Sequence, residues 1–143
     1  MSVKSILDQK GHAVLTLGPN ATLAEAAKLL AEHRVGALVI TNSGNEIAGI
    51  LSERDIVRQL AASGAAALDQ PISASMTAKV KTCSENHTIN GVMTIMTEGR
   101  FRHLPVEKDG KLFGIISIGD VVKRRIEDVE REAEDIRSYI ATA

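Results

Sequence analysis

Two stretches of the chain are imperfect copies of each other, one from Val14 to Leu60 and the other from Val80 to Arg125. Thr16 corresponds to Thr82, Thr22 to Thr88, Arg34 to Arg100 and Leu38 to Leu104, each pair 66 positions apart. Past the turn at Gly44 and Gly110 the offset falls to 65, as though the first copy carried one extra turn residue. Gly49-Ile50-Leu51-Ser52 then matches Gly114-Ile115-Ile116-Ser117, and Asp55-Ile56-Val57 matches Asp120-Val121-Val122. A period longer than a solenoid unit, present only twice, points to a pseudo-symmetric pair sharing one core. Several of the shared positions are polar, which packing alone does not require.

The hydrophobic content of 44% is enough for a real core, but aromatics are only 2% of the 143 residues, so Val, Ile, Leu, Ala and Met must fill it. Base stacking on aromatic side chains is therefore nearly unavailable, which disfavours a single-strand nucleic-acid module. A net charge of −1 offers no global attraction to phosphate backbones or anionic lipids, so any basic function has to be local. Cys83 is the single cysteine and has no intramolecular disulfide partner, in keeping with a reducing cytosol. No leader-like segment and no apolar run of spanning length is present, and the expectation is a cytoplasmic protein without a membrane partner.

Periodicity predicts the same element order in each copy. A short helical turn at Val3 to Gln9, ended near Gly11, precedes a strand at Ala13 to Leu17. Thr22-x-x-Glu25 reads as a capping box only, opening a helix whose apolar face is Leu23, Ala26, Ala27, Leu29 and Leu30. Ala37 to Thr41 and Ile47 to Leu51 form a hairpin, and a helix follows from Ser52 to Leu60 or Ser63. The second copy offers a strand at Val80 to Cys83, a helix near Ile89 to Glu98, strands at His103 to Glu107 and Leu112 to Ser117, and a long helix. Neither copy is long enough to stand alone, so the two should pack together.

Recognisable catalytic signatures are missing. There is no GxxxxGK[ST] loop, GxSxG elbow or HExxH pair, and His12, His33, His87 and His103 lack tight ligand spacing, so no metal is expected. Cys83 and His87 are neighbours in sequence, but nothing orients them as a dyad. The chain is expected not to be an enzyme.

Taken in order, Gly49-Ile50-Leu51-Ser52-Glu53-Arg54-Asp55-Ile56, Met76-Thr77, Arg102-His103-Leu104-Pro105-Val106 and Gly114-Ile115-Ile116-Ser117-Ile118-Gly119-Asp120-Val121 resemble tandem CBS domains, the Bateman module. The resemblance covers about Val3 to Arg125. It implies an α+β fold: two pseudo-symmetric β-α-β-β-α repeats packed sheet to sheet, with a C-terminal helix. The organisation expected is residues 1–72 for the first repeat with the N-terminal segment, 73–125 for the second, and 126–143 for the helical extension.

The resemblance also implies an adenine nucleotide in a cleft between the repeats: AMP, or ADP, ATP or NAD, with S-adenosylmethionine an alternative. Such a ligand needs an apolar slot, a carboxylate for the ribose diol and donors for phosphate. Asp55 and Asp120 suit the diol, and Ser52 and Ser117 lie at the same helix openings, where free N–H groups favour anions. Ser-x-x-Asp is equally a helix cap, and the two roles are compatible. Arg102 and His103 stand where the first copy has Gly36 and Ala37, at a position where related modules reach phosphate. That asymmetry predicts unequal sites, with the better phosphate site built from Asp120, Ser117, Arg102 and His103. Arg54 is a second candidate for phosphate. Thr16 and Thr82 lie near where the family holds ribose or phosphate, although each is also an ordinary strand threonine. Lys79 and Val80 are expected to line the second cleft, with Val80 against the base and Lys81 projecting the opposite way. Pro105 and Gly119 join the candidates through their places in the quoted motifs.

Val122, Ile126, Val129, Ala133, Ile136 and Ile140 form a seam at alternating steps of four and three, too short for a free coiled coil. It should dock on its own domain or, as the favoured expectation, on a second copy as a homodimer. The leading reading is a nucleotide-binding regulatory module that signals to an effector protein. The alternative is a ligand-free scaffold working through its C-terminal helix.

Overall fold

The structure, a computed structural model, describes residues 2–142. The first copy contains β1 (Thr16–Leu17), helix α2 (Leu23–His33), strands β2 (Ala37–Thr41) and β3 (Ile47–Ser52), and α3 (Glu53–Ser63), all preceded by α1 (Val3–Lys10). Two short 3-10 turns, Gly64–Asp69 and Ile72–Ala74, lead to the second copy, which contains α4 (Ile89–Gly99), β4 (His103–Lys108), β5 (Lys111–Ser117) and α5 (Ile118–Thr142). The repeat extends to backbone detail. Arg34 and Arg100 end α2 and α4 in the same left-handed conformation, at φ 53° and 55°. Both hairpins slip register at matching places, after Ile40 and after Val106. The extra residue of the first copy sits in its hairpin loop: Thr41 pairs with Ile47 across residues 42–46, whereas the equivalent Glu107 pairs with Leu112 across the shorter 108–111.

Capping sets the helix starts. Thr22 and Glu25 form the expected reciprocal box, with Glu25 N donating to Thr22 Oγ1 (3.2 Å) and Thr22 N to Glu25 Oε2 (3.3 Å). Thr88 caps α4 by accepting from Gly91 N at 2.9 Å.

The predicted first strands shrink. Of Ala13 to Leu17 only Thr16 and Leu17 pair with β2. Val80 to Cys83 is not a strand, and its one ladder contact is Cys83 with Val106 on β4. The reason is a tether at each end. Thr77 exchanges backbone hydrogen bonds with Ile50 on β3 (2.9 and 3.0 Å), while Cys83 bonds Pro105 and Glu107 around β4 (3.0 and 2.8 Å). The residues between cross from one copy's sheet to the other's.

Two apolar cores form in place of the single shared core expected from the repeat. One holds Leu23, Ala26, Leu30, Leu38, Ile40, Leu51, Ile56, Ala67 and Ile72. The other holds Leu104, Val106, Ile116, Val121, Cys83, Ile89, Val92 and Met96, together with Val3, Ile6 and Leu7 of α1. Each copy's core is closed by the segment that precedes the other copy. Helix α1, which chain order groups with the first repeat, is anchored on the second: Val3 N donates to His87 O (2.9 Å) and Lys4 N to Glu85 O (3.0 Å). The connecting turns anchor on the first, with Leu23 N donating to Gln70 O (3.0 Å) and Ile72 N to Ala21 O (2.8 Å).

This exchange explains the glycine in each Gly-Ile-(Leu/Ile)-Ser motif. A Cβ on Gly49 would lie 2.7 Å from Thr77 O and 2.8 Å from Met76 Sδ, and one on Gly114 would lie 2.8 Å from Leu7 Cδ2. The sheets pack face to face. Along β2, Leu38 and Ile40 enter the helix-covered core while Ala37 and Val39 are buried on the opposite face, which is why the strand reads as a continuous apolar run. At the hairpin ends Leu112 N donates to Asn45 O (2.9 Å) and Asn45 Nδ2 to Leu112 O (3.0 Å).

Helix α5 buries Val121, Arg124 and Asp128. Its predicted seam faces outward: Val122, Ile126, Val129, Ile136 and Ile140 are 43–67% exposed, as is Tyr139 beside them at 75%. The seam therefore does not dock on its own domain. No described helix is long and apolar enough to cross a membrane.

Candidate functional site

A cleft of about 330 Å³ opens between the copies, within the size range of small-molecule sites. One wall is the junction of β3 and α3. Ser52 leaves the strand in extended conformation, and its Oγ accepts from Asp55 N at 3.3 Å. Asp55 Oδ2 accepts in return from Ser52 N (2.9 Å) and Oγ (3.1 Å). Asp55 Oδ1 lies 3.5 Å from Arg58 Nη1. The Ser-x-x-Asp pattern is thus a true helix cap, and the same carboxylate borders the cleft beside Ile50, Glu53 and Arg54.

The opposite walls come from the second copy and the crossing segment. Lys79, Val80 and Lys81 line the cleft together. Lys81 was expected to point away, but the segment is not a strand there, so strict alternation does not apply. Gly99 to His103, the turn between α4 and β4, completes the enclosure. Gly99 lies directly against the Phe101 ring, where a Cβ would clash. Phe101, Val80, Ile50 and Ala37 supply apolar surface.

Gly36 and His103 meet. A Cβ on Gly36 would sit 3.3 Å from His103 Cε1 and 3.4 Å from Glu53 Oε1. The first copy's Gly36-Ala37 and the second's Arg102-His103 therefore line one cleft, the small pair making room for the large one. Burial, followed by the charge of Lys10, lowers the pKa of His103 against the pull of Asp120 and Glu53. Its imidazole is accordingly neutral at neutral pH.

Seven sequence candidates line this cleft: Ser52, Arg54, Asp55, Lys79, Val80, Arg102 and His103. Arg102 and His103 line it with Asp55, not in a separate Asp120 cleft as the asymmetry had suggested. Thr16 lies in β1 paired with Val39, Pro105 is buried in β4, and Thr82, Ser117, Gly119 and Asp120 also lie outside the lining. Sequence reasoning passed over Arg100 and Phe101. Their adjacency to Arg102 was a usable signal, but the left-handed turn at Arg100 that brings them to the cleft was not readable from the pattern.

Asp120 has a different neighbour. It caps α5 as Asp55 caps α3, accepting from Ser117 N at 2.9 Å while Asp120 N donates to Ser117 Oγ at 3.1 Å. Lys10 Nζ, in the last turn of α1, donates to Asp120 Oδ2 at 2.6 Å. Burial works to raise the Asp120 pKa, but the Lys10 and Ser117 hydrogen bonds outweigh it and hold the carboxyl below its ordinary range.

The thiol of Cys83 is buried in the second core, and burial pushes its pKa up to about 12. It remains protonated and a poor nucleophile. Among the described residues no three His, Cys, Asp or Glu side chains converge on a metal-sized site.

A model of the CBS domain matches residues 3–62 and 72–127. A curated protein of Acidianus ambivalens, described as an uncharacterized 17.7 kDa protein, is 42% identical over 111 residues, covering 77% of this chain and 66% of that one. The chain thus spans just under two thirds of that relative's length. The crystal structure of a CBS-domain-containing protein from Agrobacterium tumefaciens superposes with a TM-score of 0.84 at 50% identity, covering 87% of this chain and 99% of that one. A CBS domain protein from Pyrobaculum aerophilum complexed with AMP superposes at 0.75 with 28% identity, covering 84% and 89%. A CBS domain pair in complex with 5′-methylthioadenosine and S-adenosyl-L-methionine superposes at 0.80 with 26% identity, covering 90% and 98%.

Proposed function

Because the chain belongs to the CBS-domain family, with the module present twice, we propose that it is a regulatory module binding an adenosine-containing nucleotide in the Asp55 cleft. The observation that carries this is the composition of that cleft, where a helix-opening carboxylate faces cationic and apolar groups from the other copy. Asp55 accepts from the ribose hydroxyls through lone pairs not used by Ser52. Phe101, Val80 and Ile50 enclose the base, and the cationic side chains meet phosphate. The solved relatives that hold AMP, methylthioadenosine or S-adenosylmethionine support the adenosine part.

The action is regulatory, not catalytic. A ligand touching both copies favours whichever arrangement of them it binds more tightly, and that difference is the signal passed to an effector protein. The exposed seam of α5 is where a second copy docks to give a homodimer. Titration calorimetry with AMP, ADP, ATP, NAD and S-adenosylmethionine tests the reading. Saturable binding by at least one is expected. Binding by none, with thermal stability indifferent to all five, would leave the scaffold reading in which only α5 acts.

A further inference from the structure

Arg54, Lys79, Lys81, Arg100 and Arg102 line the Asp55 cleft against two carboxylates, Glu53 and Asp55. The lining therefore carries a formal +3, with His103 neutral, in a chain whose whole net charge is −1. Some surface cations elsewhere in the molecule find partners, as Lys28 finds Glu32 and Lys108 finds Glu85, while others stand apart from one another on the surface. Among the described residues none of the five lining cations makes an ion pair or a side-chain hydrogen bond, and Asp55 is already engaged by Ser52 and Arg58. Like charges gathered around one concavity repel, and because all five side chains are exposed that repulsion is partly screened by solvent and depends on salt. An anion in the cleft relieves all five at once.

The size of that anion follows from the charge. A phosphate monoester brings roughly −2 at neutral pH, which leaves part of the lining uncompensated. Each further phosphate adds about one more negative charge, so a diphosphate matches the formal +3, and a triphosphate, one charge beyond it, still offers the five cations more negative charge than a monophosphate does. The pattern of the crossing segment fits the same division, with half-buried Val80 between exposed Lys79 and Lys81.

On the premise that an adenosine moiety sits at Asp55, we infer that phosphate charge selects the ligand: a nucleoside di- or triphosphate is preferred to a monophosphate, and a monophosphate to uncharged or sulfonium adenosine compounds. Arg54, Lys79, Lys81, Arg100 and Arg102 are the specificity-determining set.

The test is calorimetric titration at about 50 mM and about 300 mM salt, a range over which screening of partly exposed charges changes strongly. The probes are adenosine, AMP, ADP, ATP, S-adenosylmethionine, and inorganic tripolyphosphate without a nucleoside. Affinity is expected to climb about tenfold from adenosine to AMP and about tenfold again to ADP or ATP at low salt, since charge-assisted hydrogen bonds have that weight. The span should narrow at high salt. Lys79 and Lys81 are exposed, so the double variant Lys79→Ala/Lys81→Ala keeps both cores, and in it the preference for ATP over adenosine should collapse. Adenosine or S-adenosylmethionine binding as tightly as ATP would overturn the inference while leaving the adenosine site standing. Tripolyphosphate binding without any nucleoside binding would remove the adenosine site and uphold the phosphate selection. Failure of every probe would remove both.

Discussion

Asp55 and Asp120 stand at equivalent positions of the repeat, each the third residue of a helix and each bonded to the serine that caps it. Their surroundings differ. Asp55 borders an open cleft lined with unpaired cations, whereas Asp120 accepts a 2.6 Å hydrogen bond from Lys10. The difference originates outside both motifs, in the segment that lies over each. In front of the second copy that segment is the crossing from Thr77 to Cys83, which leaves a concavity beside Asp55. In front of the first copy it is α1, whose last turn carries a lysine to Asp120. Equivalent local chemistry therefore acquires different capacities from what packs on it.

The largest effect that can break this comparison is on binding. Asp55→Ala should weaken the preferred ligand about 100-fold, the weight of two charge-assisted ribose contacts, and Asp120→Ala should change it only a few-fold because that carboxylate lies outside the cleft. Asp55→Asn, which keeps a side-chain acceptor for the cap, controls for folding. Loss of binding in the Asp120 variant alone, read by calorimetry, would reverse the assignment.

Next in size is the cost of a methyl group at the paired glycines. Gly49→Ala sets Cβ against the Thr77 carbonyl, which is fixed by its bonds to β3, and should destabilise by about 3 kcal/mol. Gly114→Ala meets the tip of Leu7, which can turn, and about 1–2 kcal/mol is expected. Chemical denaturation of both variants would show the order, and equal costs would mean that the two covering segments are equally rigid.

A smaller change tests the lysine itself. Lys10→Met removes the ammonium from Asp120 while Val3, Ile6 and Leu7 keep α1 in place. Ligand stoichiometry per chain should rise above the wild-type value if the Lys10 contact is what keeps a ligand from Asp120. An unchanged stoichiometry would show that the Lys10 contact is not what distinguishes Asp120 from Asp55.

The smallest effect is on pH. His103 has a folded pKa below its ordinary 6.5, so the unfolded chain takes up the proton first and stability falls as pH drops below about 6.5. Asp120, lowered from 3.8, contributes stability present above that value and lost as pH falls through its folded pKa. Both slopes have the same sign. Melting temperatures of wild type and His103→Gln across pH 7 to 5 should differ in slope, and parallel curves would mean that His103 titrates normally.

Much of this was legible beforehand, and the reason is range. Capping boxes at Thr22, Ser52 and Ser117 depend on residues three apart, and the apolar faces of α2 and β2 depend on periodicity. The glycines of the paired motifs, the strand that dissolved between Val80 and Cys83, and the meeting of Gly36 with His103 depend on segments far apart in the chain. Lys10 and Asp120 are 110 residues apart, and no local pattern marks them as partners. The outward turn of the α5 seam was open for a similar reason: its spacing specified an apolar stripe without specifying what would cover it.

The sequence by itself determined two copies of one unit, in each of which a helix, a hairpin and a second helix follow in order, the helix openings at Ser52 and Ser117, and the carboxylate and basic residues later found at the cleft, because each follows from repetition, spacing or a hydrogen bond closed within one turn. Only the tertiary structure decided that the cores are two, that each is closed by the segment preceding the other copy, and that Arg102 and His103 line a cleft with Asp55 while Lys10 occupies Asp120. Those outcomes depend on which surfaces bury one another, a property of the packed whole that no single stretch of chain contains.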